Sequence, residues 1–280
     1  MRTVRPDGRH GKRNSFSAHI GYLFRELPFA ERFAAAAVAG FDAVEHPHDD
    51  TLDPVVLAGL LAAHGLRLAQ MPFAFADAAK GEKGLAALPG RQEEFRAAFD
   101  RALDFAVAAG VPYLHPMAGI PRPEDAREAE GVYLANLHHA VERTAGTPVK
   151  ILIEAIGAAA VPGYALSTLE AACRVQDVFG PGNVSLLLDT FHAAASGIDP
   201  AAWIAANGYR LGHVHIADHP GRHEPGTGAI DFTAVLAALD AQGFDGAIGF
   251  EFVPSSAATA ESLGFLQAWR AQQDHTRRRA

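Results

Sequence analysis

The sequence predicts an α/β fold, a single (β/α)8 TIM barrel of eight parallel strands that are each followed by a helix. Short apolar runs with the length of buried strands alternate with helical segments eight times between residues 15 and 272. Four of the runs end in an ionisable side chain, and barrels of this kind keep their active sites at the carboxyl ends of the strands. The chain also has 280 residues, close to the roughly 250 that one barrel needs.

The elements follow one another in a regular order. The predicted strands are residues 15–20, 41–47, 66–73, 111–119, 150–155, 184–190, 211–218 and 247–252. The predicted helices are residues 28–40, 53–65, 90–110, 124–145, 166–180, 199–208, 231–243 and 261–272. Asp53 and Pro54 suit a helix N-cap and first turn, and Gly40 suits the position just past a helix end. The alternative, a doubly wound open sheet, usually carries a G-x-G-x-x-G or P-loop motif, and the sequence has neither.

Composition limits the domain organisation and the classes of partner. We expect a basic, flexible extension over residues 1–14, a barrel over 15–272 and a polar tail over 273–280. A net charge of -8 disfavours a nucleic-acid partner, and no apolar run approaches the roughly 20 residues that span a bilayer. The start of the chain has no apolar signal segment, so we expect a cytoplasmic protein. The sequence is compatible with a homo-oligomer.

Four apolar strands each deliver one side chain that can bind a metal: Glu154, Asp189, His215 and Glu251. An ionisable residue in a buried strand is costly unless a metal or a partner holds it. Because the four strands are neighbours in the predicted barrel, these side chains can surround one divalent cation. Mostly oxygen ligands favour Mg²⁺ or Mn²⁺, with Co²⁺ or Zn²⁺ as further options. The alternative is four separate structural roles, as loop caps or salt-bridge partners.

Other residues near these strands are weaker candidates. His192 follows Asp189 by three positions, which places it in a loop facing the cavity. His213 points to the same side of its strand as His215, one layer deeper, as a group behind the metal ligands or as a core histidine. Arg222 and His223 lie in the loop PGRHEPGTGAI, where an arginine could hold an anionic substrate or be a solvent-exposed charge. Four more residues could line the mouth or serve structural roles: His19, Glu45, His46 and His115.

At these positions the chain resembles a known family. The segments IEA, LDTFH, HVHIAD, RHEPGTGAIDF and GFEF together resemble the xylose-isomerase-like TIM barrel superfamily, and within it the hydroxypyruvate isomerase family that includes the 2-oxo-tetronate isomerases. The resemblance extends from about Phe16 to Trp269. The segment LDTFH alone does not separate isomerases from sugar epimerases.

The resemblance implies residue roles and a reaction. Glu154, Asp189, His215 and Glu251 would bind the metal, Glu154 and Glu251 would act as acid and base, and His192 and Arg222 would contact the substrate. His223 could assist Arg222. The implied reaction converts a small hydroxy-oxo acid, such as hydroxypyruvate or a 2-oxo-tetronate, through an enediolate.

One departure keeps other activities open. Many hydroxypyruvate isomerases have glutamine where this chain has His215, whereas the segment HVH resembles the ketose 3-epimerases. A ketose 3-epimerase and an inosose-type dehydratase could use the same site. Two further alternatives are an abasic-site endonuclease and a noncatalytic sugar-binding protein. The net negative charge of the chain disfavours the endonuclease, and two glutamates that face each other across a metal disfavour the noncatalytic protein.

Overall fold

The computed structural model describes residues 14–47, 51–73 and 82–279. Within these residues nine parallel strands form a nearly closed barrel, with helices between them, which confirms the predicted fold class. The strands are β1 (Ser15–His19), β2 (Ala43–Glu45), β3 (Arg67–Leu68), β4 (Met71–Phe73), β5 (Tyr113–Pro116), β6 (Lys150–Glu154), β7 (Val184–Asp189), β8 (Leu211–Ile216) and β9 (Ala247–Phe250). Apart from Asn14, the expected N-terminal extension lies outside the described residues.

The helices lie between the strands in the order that the sequence predicts, with one addition. They are α1 (Phe29–Val38), α2 (Pro54–His64), α3 (Gln92–Ala109), α4 (Ala126–Thr144), α5 (Leu169–Phe179), α6 (Thr190–Ala195), α7 (Pro200–Asn207), α8 (Phe232–Ala241) and α9 (Gly264–Arg279). The short helix α6 was not predicted. The backbone of α9 continues to Arg279, through most of the segment that we expected to be a tail. In the part of the chain that the structure describes, no helix is long and apolar enough to cross a bilayer.

The third predicted strand is interrupted and appears as two short strands, β3 and β4. The barrel therefore has nine strands where the sequence predicts eight. The sheet order is β3-β2-β1-β9-β8-β7-β6-β5-β4, so the two ends of the sheet are β3 and β4, pieces of one segment. Ala69 and Gln70 separate them. The backbone N–H of Ala69 still donates to the carbonyl of Val44 at 3.0 Å, and the side chain of Gln70 bonds to Glu45 inside the barrel at 2.7 Å. The prediction of one continuous strand over residues 66–73 was therefore wrong.

The register of the strands decides which side chains meet. Asp189 on β7 is paired with His215 on β8, and His215 is paired with Gly249 on β9. On β1 and β2, His19 is paired with Glu45. Since all these strands are parallel, their carboxyl ends open on the same face of the barrel, and the polar side chains there share one cavity mouth.

Candidate active site

The structure brings the four predicted metal ligands to the same end of the barrel. Glu154 and Asp189 are the last residues of β6 and β7, His215 precedes the last residue of β8, and Glu251 directly follows β9. Their donor atoms fall into two groups, within each of which the atoms lie within 4.8 Å of one another: Glu154, Asp189 and His192, and Asp189, His215 and Glu251. Asp189 belongs to both groups. Carboxylate and imidazole donors at this spacing could hold a divalent cation.

The sequence at the end of β7 sets the orientation of Asp189. Its Oδ1 accepts hydrogen bonds from the backbone N–H groups of Phe191 at 2.7 Å and His192 at 3.3 Å, so Asp189 is the N-cap of α6. The other oxygen, Oδ2, lies 3.7 Å from His192 Nε2. His192 is buried in α6, and the prediction that it lies in a loop was wrong because this cap starts a helix immediately. The expected orientation toward the cavity is observed.

Arg222 places a cation against the carboxylates. Its Nη2 donates to Asp189 Oδ2 at 3.1 Å and to Glu251 Oε2, and its side chain is 19% exposed. The guanidinium carbon lies 5.1 Å from the ring centre of Tyr22 and 5.3 Å from that of Phe191, so two aromatic rings flank it. Sequence reasoning missed Tyr22. The adjacent Glu251 carboxylate, together with burial, raises the pKa of Tyr22 to about 12.

A buried carboxylate shapes the loop that carries Arg222. Both oxygens of Asp218 accept two backbone N–H groups each, and the four donors come from the loop itself: His219 at 2.8 Å, Gly226 at 2.9 Å, Gly228 at 2.8 Å and Ile230 at 3.1 Å. Arg222 has a φ of 57°, a left-handed conformation that is unusual for a residue with a side chain. The Asp218 bonds therefore help to hold a backbone shape that aims Arg222 at the site.

Replacing Asp218 with asparagine should destabilise this loop. The side-chain amide of asparagine has one oxygen, so two of the four N–H donors lose their acceptor whichever way the amide turns. We expect the free energy of unfolding to fall by about 2 kcal/mol, the scale of a lost hydrogen bond to a charged group. For a chain of this size the melting temperature should fall by roughly 4–8 °C.

The matched control is Asp231→Asn, at the N-cap of α8 after the same loop. The Asp231 side chain accepts one bond, from the N–H of Ala234 at 3.0 Å, and asparagine caps helices as well as aspartate does. Its melting temperature should stay within about 2 °C of the parent protein. Equal melting temperatures for Asp218→Asn and Asp231→Asn would contradict the role of Asp218.

The structure does not bring His223 into the carboxylate cluster. Its Nδ1 lies 2.8 Å from the carbonyl oxygen of Val253, on the segment that follows β9. The neighbouring Glu224 accepts a hydrogen bond from the N–H of Ser255 at 3.0 Å and a second from the Ser255 hydroxyl. These contacts tie the loop after β8 to the segment after β9. Among the described residues, the hydrogen bond of His223 joins two loop segments. No contact there supports the expected assistance of His223 to Arg222 in substrate binding.

A second polar layer lies beneath the predicted ligands. Glu45 is fully buried, and its Oε1 lies 3.1 Å from His213 Nε2, while its Oε2 lies 2.7 Å from His215 Nε2 and accepts from Gln70 at 2.7 Å. His213 is paired with Ala247 and thus sits deeper than His215, as their spacing predicts. The sequence predicted that Glu45 could line the mouth or serve a structural role, and it did not point to Gln70, although Glu45 ends an apolar strand as the four predicted ligands do.

A buried histidine lies close to each of the two glutamates of the predicted metal site, Glu154 and Glu251. His19 Nε2 lies 3.4 Å from Glu251 Oε1, and His115 Nδ1 lies 3.9 Å from Glu154 Oε2. Both histidines are buried, and burial lowers their pKa values, that of His115 to about 3. Burial therefore favours the neutral form of both imidazoles beside the carboxylates.

The surroundings of Glu154 and Glu251 shift their pKa values in opposite directions. Burial raises the pKa of Glu154 well above its usual value, and the carboxylates of Glu251 and Asp189 raise it further. Burial also acts to raise the pKa of Glu251, but the guanidinium of Arg222 and the imidazole of His215 outweigh it and lower that pKa. Burial acts to lower the pKa of His215, but the carboxylates of Glu251 and Glu45 outweigh this effect. The pKa of His215 is therefore raised well above its usual value. A buried cluster of charged groups with shifted pKa values is typical of functional sites.

Comparison with known proteins identifies the family. Residues 33–269 match the family model described as the xylose isomerase-like TIM barrel. The chain belongs to this family. It is 36% identical over 255 residues to the 2-oxo-tetronate isomerase of Cupriavidus necator, an alignment that covers 91% of this chain and 98% of that protein. It is 30% identical over 256 residues to the hydroxypyruvate isomerase of Escherichia coli, covering 91% of this chain and 99% of that one.

A solved structure agrees with the assignment of the fold. The crystal structure described as AP endonuclease, family 2, from Brucella melitensis has a TM-score of 0.87 and 33% sequence identity, and covers 91% of this chain and 99% of that chain. The family resemblance predicted from the sequence is confirmed, as is the prediction that the chain is an isomerase enzyme.

Proposed function

We propose that this enzyme is a metal-dependent isomerase of a small hydroxy-oxo acid, either hydroxypyruvate, which would give tartronate semialdehyde, or a 2-oxo-tetronate. The observation that carries the proposal is the cluster of Glu154, Asp189, His215 and Glu251 at the carboxyl ends of four adjacent strands. The relatives named as isomerases of such acids support the substrate class.

The residues of this cluster fit a divalent cation. Three carboxylates supply oxygen ligands, and His215 Nδ1 is a buried nitrogen without a hydrogen-bond partner among the described residues, facing Glu251 Oε2 at 3.4 Å. Oxygen-rich sites with one imidazole suit Mg²⁺ or Mn²⁺, and Co²⁺ or Zn²⁺ could also bind. A bound cation supplies positive charge beside the oxygens that become negative when a proton leaves the neighbouring carbon.

The two glutamates supply the proton transfers. One ionised carboxylate removes the proton from the hydroxyl-bearing carbon, and the electrons of that C–H bond move toward the adjacent carbonyl oxygen to give an enediolate. A protonated carboxyl then delivers a proton to the former carbonyl carbon. The hydroxyl oxygen becomes the new carbonyl as its proton passes to the former carbonyl oxygen, which becomes the new hydroxyl. The opposite pKa shifts of Glu154 and Glu251 support such a pair, because environments that separate two carboxyl groups commonly assign acid and base roles.

Arg222 is the proposed anchor for the substrate carboxylate. Its guanidinium lies at the cluster between two aromatic rings, with its Nε buried and without a hydrogen-bond partner among the described contacts. Planar guanidinium groups bind carboxylates through paired N–H donors. His192, beside Asp189, is placed to contact the same ligand.

Replacing Arg222 with alanine should mainly harm acidic substrates. We expect kcat/KM for hydroxypyruvate and 2-oxo-tetronates to fall about 10- to 100-fold, since a hydrogen bond to a charged group contributes about 1.5–3 kcal/mol. Neutral ketoses should be affected much less. The measurement is steady-state kinetics on a panel of both substrate types with saturating Mn²⁺, and Arg122→Ala, at an exposed arginine before α4, is the control. Equal losses on acidic and neutral substrates would argue against carboxylate anchoring.

The same panel tests the proposed reaction against its rivals. An isomerase moves the carbonyl without changing the mass of its substrate, whereas an inosose-type dehydratase releases water and lowers the mass. A ketose 3-epimerase would turn over free ketoses in preference to acids, and the histidine at position 215 gives that activity specific support. Metal-dependent cleavage of abasic DNA would instead indicate an endonuclease. The isomerase proposal fails if no hydroxy-oxo acid in the panel is converted.

A further inference from the structure

Glu45 is a charged side chain that the proposed reaction does not use. Glu45 is the last residue of β2, and two strands, β1 and β9, separate β2 from β8 in the sheet. The carboxylate of Glu45 nevertheless reaches the two histidines of β8. Burying an ionised carboxylate costs several kcal/mol unless hydrogen bonds satisfy it. Here three N–H donors do so, from His213, His215 and Gln70. The fold therefore maintains a buried charge directly behind a proposed metal ligand.

The barrel wall leaves room for this carboxylate. Gly249 on β9 lies at the same level as His215, and a Cβ atom there would overlap Glu45 Oε1 and lie 2.7 Å from His213 Nε2. Any residue larger than glycine would displace the network. The interruption of the barrel at Gln70 likewise directs a side-chain amide to Glu45. Two local features of the sheet thus converge on one carboxylate.

The geometry favours a hydrogen-bond network over a second metal site at this position. Glu45, His213 and His215 have donor atoms close enough to hold an ion. However, both histidines direct Nε2 to the carboxylate at 3.1 and 2.7 Å, and the Gln70 amide occupies the same oxygen as His215. An ionised carboxylate only accepts hydrogen bonds, so each Nε2 carries a proton and has no lone pair for a metal.

We propose that Glu45 is a positioning residue that prepares His215 to bind the metal. By accepting the Nε2–H of His215, Glu45 fixes the ring orientation and the tautomer, which leaves the Nδ1 lone pair directed toward Asp189 and Glu251. Carboxylate–histidine–metal arrangements of this kind strengthen metal binding without contact between the carboxylate and the metal. The proposal rests on the metal centre of the proposed function.

The test is the affinity for Mn²⁺, measured by competition with a chromogenic chelator in the parent protein, Glu45→Gln and Asp42→Asn. Glutamine keeps the size of Glu45, but its NH₂ group can only donate, so it faces at least one of the three N–H groups that now donate to Glu45 and that hydrogen bond is lost. We therefore expect Mn²⁺ affinity to fall about 10- to 100-fold. Asp42 precedes the same strand at its other end, where it accepts from the N–H of Phe16 at 2.9 Å and contacts Arg270. Asp42→Asn should lower the melting temperature without changing Mn²⁺ affinity.

The outcomes separate this proposal from the one on which it rests. Unchanged Mn²⁺ affinity in a folded Glu45→Gln variant would overturn the positioning role and leave the metal centre intact. Two ions per chain in the parent protein and one in Glu45→Gln would also overturn it, because Glu45 would then be a ligand. A parent protein that binds no Mn²⁺ would overturn the metal centre and this inference together.

A second measurement does not depend on whether the variant folds. Long-range ¹H–¹⁵N correlation spectra of the parent protein with saturating Mg²⁺, which is diamagnetic, report the protonation of each ring nitrogen of His215. We expect a proton on Nε2 and none on Nδ1. A proton on Nδ1 in the Mg²⁺-loaded parent protein would contradict the proposal.

Discussion

Replacing Glu251 with glutamine should lower turnover at least about 10²-fold at saturating Mn²⁺ while the barrel stays folded. The glutamine amide has the size of the carboxylate and keeps one oxygen, so it can still bind a cation and accept from Arg222. It cannot take up or release a proton near neutral pH. The measurement is initial rate on hydroxypyruvate or a 2-oxo-tetronate, together with the exchange of the substrate C–H proton in D₂O. Both rates should fall together, because both require proton removal.

The control for this variant is Glu142→Gln, at an exposed position on α4. It makes the same chemical change without touching the cluster, and its rate should match that of the parent protein. Mn²⁺ content and the circular dichroism spectrum of Glu251→Gln must be checked first, since loss of the ion would lower the rate for another reason. Near-normal turnover in folded, metal-loaded Glu251→Gln would exclude Glu251 as an acid/base group.

The predicted ligands show what a strand pattern can locate. Glu154, Asp189, His215 and Glu251 each end an apolar run, and parallel strands bring such ends to one face. The same rule applies to Glu45, which also ends a short apolar strand. The sequence predicted for Glu45 only that it could line the mouth or serve a structural role. Its partners lie on β8 and at the interruption before β4, and the strand pattern does not show which side chains meet inside the barrel.

The errors at His192 and in the third strand have a common physical origin. Asp189 caps α6 with its side chain while it also faces the site, so a single residue ends a strand and starts a helix without an intervening loop. At Gln70 the backbone leaves the ladder where a side-chain amide bonds to Glu45. In both places a side-chain hydrogen bond accompanies the change in the backbone, local at Asp189 and across the barrel at Gln70, and hydrophobic periodicity carries no information about such bonds.

The position of Arg222 illustrates a third limit. The sequence left two interpretations open, an anion anchor and a solvent-exposed charge. The structure shows a guanidinium that is 19% exposed, bonded to two carboxylates and flanked by two rings. This arrangement depends on the loop conformation set by Asp218, whose four bonds come from residues up to twelve positions further along the chain. Loop geometry of this kind follows from specific hydrogen bonds more than from composition.

Removing the divalent ion should abolish activity and weaken the fold. Without it, the described residues that offset the negative charge of Asp189 and Glu251 are Arg222 and the neighbouring histidines. Treatment with EDTA should reduce turnover below about 1%, since a cation beside a developing oxyanion contributes several kcal/mol. Adding Mg²⁺ or Mn²⁺ should restore it. The ion should also raise the free energy of unfolding, by about 2.7 kcal/mol when its concentration is 100 times the dissociation constant.

The stabilisation by Mg²⁺ should depend on pH in a definite direction. The pKa of Glu154 is raised in the metal-free fold, so its protonated form contributes stability at low pH that is lost as the pH rises through that raised pKa. A cation binds the ionised carboxylate, so it competes with this proton. The difference in melting temperature between Mg²⁺-loaded and EDTA-treated protein should therefore grow from about pH 5 to about pH 8. A difference that is constant or that shrinks with rising pH would show that the ion does not bind at the Glu154 carboxylate.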